Sequence, residues 1–168
     1  AMPKQFSGFR SVAAFRTGVL GTTGVESAEA VRGLVAQIKP AMVIAVDALA
    51  SRRTGRVCTT VQLSDTGIIP GSGVGNHRAA LNAETLGVPV FSIGVPTVVD
   101  AATLAADLLE ESGVTDFDHE ALRRANGGMT VTTRDIDAQV RDLGKVIGYA
   151  INWALQDLEL EDINALLS

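Results

Sequence analysis

The stretch VIAVDALASR, residues 43–52, decides the fold. Its four leading apolar residues run without a break into a carboxylate, Asp47. A strand buried on both faces of a sheet reads as such a run of Val, Ile and Ala. Residues 42–49 are therefore predicted to form a central strand, with Asp47 at the end of its apolar segment 42–46. A carboxylate cannot be left unpaired away from water. Either Asp47 caps the next turn, or it does chemistry at the carboxyl end of the strand, where the sites of such sheets gather. Ser51, Arg52 and Arg53 follow closely. They either orient and neutralise Asp47 or cap and solvate what comes after.

Upstream, ESAEAVRGLVAQIK (26–39) places apolar residues at 28, 31, 34, 35 and 38, which is helical spacing. Ser27 is a candidate cap for its start, and Pro40 stands just past its end. SVAAF (11–15) reads as a short strand and GVLGTTG (18–24) as a glycine-rich turn. Downstream, RVCTTVQLS (56–64) is β-branched and reads as a strand. DTGIIPGSGVGN (65–76) reads as a loop, HRAALNAETLG (77–87) as containing a short helix, and VPVFSIGVP (88–96) as the last clear strand. AATLAADLLEES (101–112) is predicted to be a helix capped by Asp100 and ended by Gly113. A polar connector, 113–128, carries a short helical stretch at DHEALRRA. Thr133 then opens a long amphipathic helix, 134–158, with apolar positions at 136, 140, 143, 147, 151, 154 and 155. Strands alternating with helices predict an α/β three-layer sandwich around a mostly parallel or mixed sheet.

The 168 residues suit a single domain, 1–168. Hydrophobic residues are 46% but aromatic residues only 4%, so the core must be aliphatic. The net charge of −5 argues against a basic surface for nucleic acid. Cys58 is the one cysteine, so no disulfide or cysteine-based zinc site forms within the chain. It is expected to be a small core residue of a protein in a reducing cytosol. His77 and His119 read as surface residues. With no histidine cluster, no metal or cofactor is expected to be required. No apolar run approaches the ~20 residues that span a membrane. AMPKQFSGFR (1–10) holds no signal-peptide core, and Ala1-Met2 reads as an addition ahead of a native Pro3.

Spacing alone leaves a further reading of Asp47. Gly18, Gly21 and Gly24 form a GxxGxxG turn between a candidate strand and a helix, and Asp47 lies 23 residues beyond Gly24. A dinucleotide site uses such glycines to admit pyrophosphate, and an acid about 20 residues on to bind a ribose hydroxyl. GSGVGN (71–76) lacks the Lys-Ser/Thr pair of a phosphate-binding P-loop and reads as a tight structural loop.

Longer motifs carry more information. VIAVDALASR, TTVQLSDTGIIPGSGVGNHR and ETLGVPVFSIGVPTVVDA closely resemble the spore germination protease family. RSVAAFRTGVLGTTGVES and MTVTTRDIDAQVRDLGKVIGYAINWALQ resemble that family's flanking segments, so the likeness covers about residues 9–100 and 129–156. The resemblance implies a fold similar to that of the hydrogenase-maturation endopeptidases. It implies an atypical aspartic endopeptidase of the spore core, tetrameric, that degrades small acid-soluble spore proteins during germination. One of the family's two catalytic aspartates falls on Asp47. The other belongs to a TPDALGP-like motif with no counterpart in residues 1–10. The chain therefore reads either as the C-terminal portion of a longer protein, whose N-terminal segment completes the site, or as a non-catalytic sporulation relative. Asp65 and Asp100 are the nearest alternative acids. Ser51 and Arg52 are candidate supports for Asp47. Asp65, Thr66, Gly71, Ser72 and Gly73 are candidates for a substrate loop, since binding residues concentrate on loops held by a rigid sheet. Ile69 stands where the family often carries histidine.

Overall fold

The computed structural model describes residues 8–18, 20–71, 79–126 and 128–167. They divide into two units, one of residues 17–136 and one of residues up to 16 together with 137 onward.

In the larger unit, β1 (Val43–Ser51) runs parallel to β3 (Val90–Asp100), in a register that sets Val43 opposite Val90 and Asp47 opposite Gly94. β2 (Gln62–Ser64) pairs antiparallel with β3, as does β4 (Thr130–Val131) near its end. The sheet order is β1-β3-β2, so the sheet is mixed and β3 is its centre. Both long strands continue beyond their predicted ends. β1 carries on past Asp47 to Ser51, which places the acid in mid-strand. β3 passes through Pro96, and the register slips there: Leu49 faces Pro96, but Ala50 faces Val98. Proline has no N–H to give a ladder and is tolerated in a strand at a bulge. Its carbonyl is still used, accepting from the Cys58 N–H at 2.7 Å.

The helix α1 (Leu20–Thr23) is a single turn, and α2 (Ser27–Ile38) is the predicted amphipathic helix. Its cap position is Glu26 rather than Ser27. Ser27 is buried, and its hydroxyl donates to Thr17 Oγ1 at 3.2 Å. The helix stops at Lys39 in the left-handed region, directly before Pro40. The predicted helix of 77–87 contracts to α3 (Ala83–Leu86), closed by a capping box between Asn82 and Thr85. Ala28 and Val35 of α2 bury against Leu81, Leu86 and Val90, with Val43 and Ala45 of β1 packed alongside. The core is aliphatic, as the composition requires.

One predicted strand does not form, and another contracts to its last three residues. Residues 11–15 are exposed and lie in no strand. In RVCTTVQLS only 62–64 is strand; Thr54–Arg56 is a 3-10 turn, and Cys58 is half-buried with φ 55. Thr59 and Thr60 donate their hydroxyls back to the Gly55 and Arg56 carbonyls, at 2.8 and 3.4 Å. This local bonding competes with a ladder.

α4 (Ala101–Glu111) starts at Asp100, whose Oδ1 accepts from the Ala102 and Thr103 N–H groups at 2.9 and 3.4 Å. α5 (His119–Asn126) is capped by Asp118. α6 (Ile136–Leu155) begins three residues after the predicted cap Thr133. Its expected stripe is buried or half-buried at Ile136, Leu143, Ile147, Ile151 and Leu155, and exposed at Val140 and Ala154. In the smaller unit, the Gln156 amide clasps the Arg10 backbone, accepting its N–H at 2.8 Å and donating to its carbonyl at 3.2 Å. The acidic tail forms α7 (Leu160–Leu167), in which Ile163 is fully buried.

Candidate active site

Side chains alternate across a strand, so Val43, Ala45, Asp47 and Leu49 share one face of β1. Ser92 and Gly94 of β3 lie beside them, and Gln62 and Ser64 of β2 lie beyond. The core covers the beginning of this face, around Val43, Ala45 and Val90. Beside Leu49 of β1 and the first half of β3 the same face opens into a cleft of about 430 Å³. Leu49, Ser92 and Gly94 line it from the sheet. Thr66, Ile68 and Ile69 line it from the following loop. A Cβ on Gly94 would overlap the Leu49 side chain. Glycine at this position therefore lets Leu49 lie across β3.

The loop is pinned where it enters the cleft. Ile68 and Leu81 exchange two backbone hydrogen bonds, at 2.9 and 2.8 Å. Gly67 has φ +81, and any Cβ there would meet the Leu81 carbonyl and Asn82. The Gly67 carbonyl accepts from the Ser92 hydroxyl at 3.1 Å. Only glycine fits a left-handed residue pressed this closely onto backbone.

Asp47 is half-buried, and its Oδ1 accepts from the Ala48 N–H at 2.9 Å. It does not itself line the cleft. Its register partner Gly94 does, and so does Leu49, two residues along the same face. Thr66 lines the cleft, its hydroxyl 2.7 Å from that of Ser64, while Asp65 is exposed in the turn between them. Gly71 is half-buried with φ 73. Ser72, Gly73 and His77 lie outside the described residues.

Ser51 and the arginines serve a different part of the fold. The buried Ser51 hydroxyl donates to the Arg53 carbonyl at 2.6 Å and accepts its N–H at 3.3 Å, closing the turn after β1. Arg53 reaches α4, meeting Asp107 at 3.0 Å and Glu110 at 2.7 Å. Asp107 also accepts from the Thr54 N–H at 2.6 Å. Burial pushes the Asp107 carboxyl up, but the Thr54 N–H and the Arg53 guanidinium outweigh it and hold it below its ordinary value. The exposed Arg52 lines a second hollow of about 200 Å³ with Arg53, Asp107 and Glu110. Asp100 is committed to the start of α4.

The glycine turn does not make a dinucleotide site. Gly18 and Gly24 have positive φ on either side of α1, Gly21 lies inside it, and no strand precedes it among the described residues. The strand–turn–helix context that the motif requires is missing. No group of three or more His, Cys, Asp or Glu side chains suited to a metal ion occurs among the described residues.

Sequence reading missed Gly94, Ile68 and Asn82 as parts of the cleft. Gly94 had a usable signal: aligning the two apolar runs as parallel neighbours sets it beside Asp47. Ile68 and Asn82 had none, because an isolated bridge between Ile68 and Leu81 places them.

Known proteins match this chain extensively. The family model described as germination protease matches residues 3–126. The germination protease of Caldanaerobacter subterraneus subsp. tengcongensis is 44% identical over 191 residues, covering 98% of this chain and 59% of that protein. That of Clostridium tetani is 45% identical, covering 96% of this chain and 58% of its own length. That of Bacillus subtilis is 58% identical over 103 residues, which are 61% of this chain and 28% of that protein. The chain thus spans under three-fifths of the first two relatives. The 191 aligned residues exceed the chain's 168, so the Caldanaerobacter protein also carries extra residues inside the matched span.

Proposed function

The chain belongs to the germination protease family, and from that premise we propose that it is the part of a spore endopeptidase that carries one catalytic carboxylate, Asp47. The observation that supports this reading is the placement of Asp47. It sits in mid-strand on the open face of the parallel pair β1 and β3, opposite Gly94, which lines a cleft with no charged side chain among its described lining residues.

Two carboxylates suffice to hydrolyse a peptide bond. One, ionised, takes a proton from a water molecule as it attacks the carbonyl carbon. The other, protonated, hydrogen-bonds the carbonyl oxygen and then gives its proton to the leaving amine. Mutual repulsion separates the two pKa values, so the pair titrates as a unit. In this reading Asp47 is one member, and the second comes from a segment of the whole protein outside these residues. The substrates are small acid-soluble spore proteins and the setting is the spore core. Among the described residues, no helix is long and apolar enough to cross a membrane. The enzyme assembles from several copies, a reading supported by exposed apolar residues on the other face of the sheet: Val46 is 52%, Leu63 76% and Phe91 43% exposed.

The test is to incubate the full-length protein with a purified small acid-soluble spore protein and follow the products by mass spectrometry. Cleavage at one or a few sites is the expected result. An intact substrate, with the enzyme folded, contradicts the reading.

A further inference from the structure

The second hollow, of about 200 Å³, lies beyond the carboxyl ends of the parallel neighbours β1 and β3. Arg52 directly follows the last residue of β1, and Thr103 stands in the first turn of α4, which begins where β3 ends. His119 and Arg123 of α5 line the same hollow. Open α/β sheets bind ligands in crevices at this end.

The lining is rich in donors and short of open acceptors. Asp107 and Glu110 are the carboxylates among its described residues, and Arg53 Nη1 holds both, at 3.0 and 2.7 Å. The other Asp107 oxygen accepts from the Thr54 N–H. Three arginines, Arg52, Arg53 and Arg123, thus face two carboxylates that are already engaged. Arg123 meets Glu120 at 3.0 Å, but those side chains are 71% and 66% exposed, so the pair holds the guanidinium only weakly. The Arg52 guanidinium, the Thr103 hydroxyl and the His119 imidazole make no hydrogen bond or ion pair with a described residue. The His119 ring rests against Phe117, their centroids 4.5 Å apart.

Unspent donors and an excess of positive charge fit a small oxyanion. Arginine meets phosphate and carboxylate oxygens through charge-assisted hydrogen bonds. The donors come from three elements, the turn after β1, α4 and α5, which suits the tetrahedral oxygens of phosphate better than the flat pair of a carboxylate. The volume is below the roughly 300 Å³ at which pockets for whole organic ligands begin, so it holds a phosphate group and little more.

We propose that this hollow is a phosphate-binding site, which takes inorganic phosphate or the phosphoryl end of a small monoester between Arg52, His119 and Arg123. The bound anion ties the turn after β1 to α4 and α5. The site stands apart from Asp47 and does not depend on the endopeptidase reading.

The probes are sodium phosphate, methyl phosphate, sodium acetate and sodium chloride, titrated at equal ionic strength into the ¹⁵N-labelled chain. Phosphate should shift the amide signals of Arg52, Thr103, His119 and Arg123 to saturation. Chloride should leave them in place, and acetate should bind more weakly than phosphate. The tighter binder of phosphate and methyl phosphate identifies whether the site takes the free ion or a monoester. Arg52 is exposed and has no partner to lose, so Arg52→Gln keeps the fold. It should weaken phosphate binding about tenfold, the worth of one charge-assisted hydrogen bond. Arg123→Gln should act in the same direction, and Arg32→Gln, an exposed change on α2, should leave the affinity unchanged. An absence of shifts at these amides with phosphate, the same shifts with chloride, acetate binding as tightly as phosphate, or an equal effect of Arg52→Gln and Arg32→Gln would each overturn the site. If phosphate binds as described but the full-length protein cleaves no spore protein, the proteolytic reading falls and the site stands.

Discussion

A Cβ at Gly94 would overlap Leu49, and it is this missing side chain that shapes the cleft floor. Gly94→Ala should therefore destabilise the fold by about 1–3 kcal/mol through overpacking. Leu49→Ala opens the space, so the double variant should cost less than the sum of the two single changes. Urea unfolding of the four proteins measures this; strict additivity would contradict the overlap. Two acids show how far single residues were legible. Asp100 was identified as a helix cap, because an acid directly before a helical run has one common use, and its carboxylate takes that place. Asp47 stands out differently, as an acid directly after an apolar run. Its mid-strand position was not legible, because the apolar run stops at Asp47 while the hydrogen-bonded ladder continues to Ser51. Ile69 stands out only through the family resemblance, since a residue on an irregular loop has no periodicity.

At the scale of elements, the turn after β1 is tied to α4 through Asp107. The residue is 9% exposed and accepts from the Thr54 N–H and Arg53. Because its folded carboxyl titrates below the ordinary value, the unfolded chain takes up the proton first as pH falls. The stabilisation is complete above the ordinary carboxylate value of about 3.9. It is lost as pH drops below that value and through the folded one. The gap in urea midpoint between the wild type and Asp107→Asn should thus be widest near pH 7 and shrink toward pH 3. A gap independent of pH would contradict the ionic role. Asp100→Ala should separately cost about 1 kcal/mol, the usual worth of a helix N-cap, read from the same unfolding curves. Helices α2 and α4 and strands β1 and β3 were legible from their apolar patterns, although both strands run past their predicted ends and α2 is capped at Glu26. The segment 57–61 misled because β-branched residues favour strands only where a partner is available. Here Thr59 and Thr60 turn their hydroxyls back onto the chain. β4 has only two residues, too few to show any alternation.

For the molecule as a whole, the sheet's two faces differ. One packs on α2 and α3 and opens into the cleft. The other leaves Val46, Leu63 and Phe91 at 52, 76 and 43% exposed. β1 and β2 are the edges of the sheet, and β1 is a nine-residue strand with an unpaired edge among the described residues. Long exposed edges and apolar patches favour association. Val46→Lys should lower the average mass seen by sedimentation at high protein concentration and leave thermal stability within about 0.5 kcal/mol, as for most surface changes. An unchanged mass would show that this face takes no part in association. The alternation of strands and helices made the fold class legible. The share of the relatives' length that lies outside this chain was visible to sequence reading only as a missing second acid.

The proposed activity rests most on Asp47. The direct measurement is kcat for cleavage of a small acid-soluble spore protein by the full-length protein and by its Asp47→Asn variant, with both shown to be folded. Loss of a general acid–base carboxylate should lower kcat by about 10²–10⁴-fold, with little change in KM. Cleavage by the variant at the wild-type rate would contradict it.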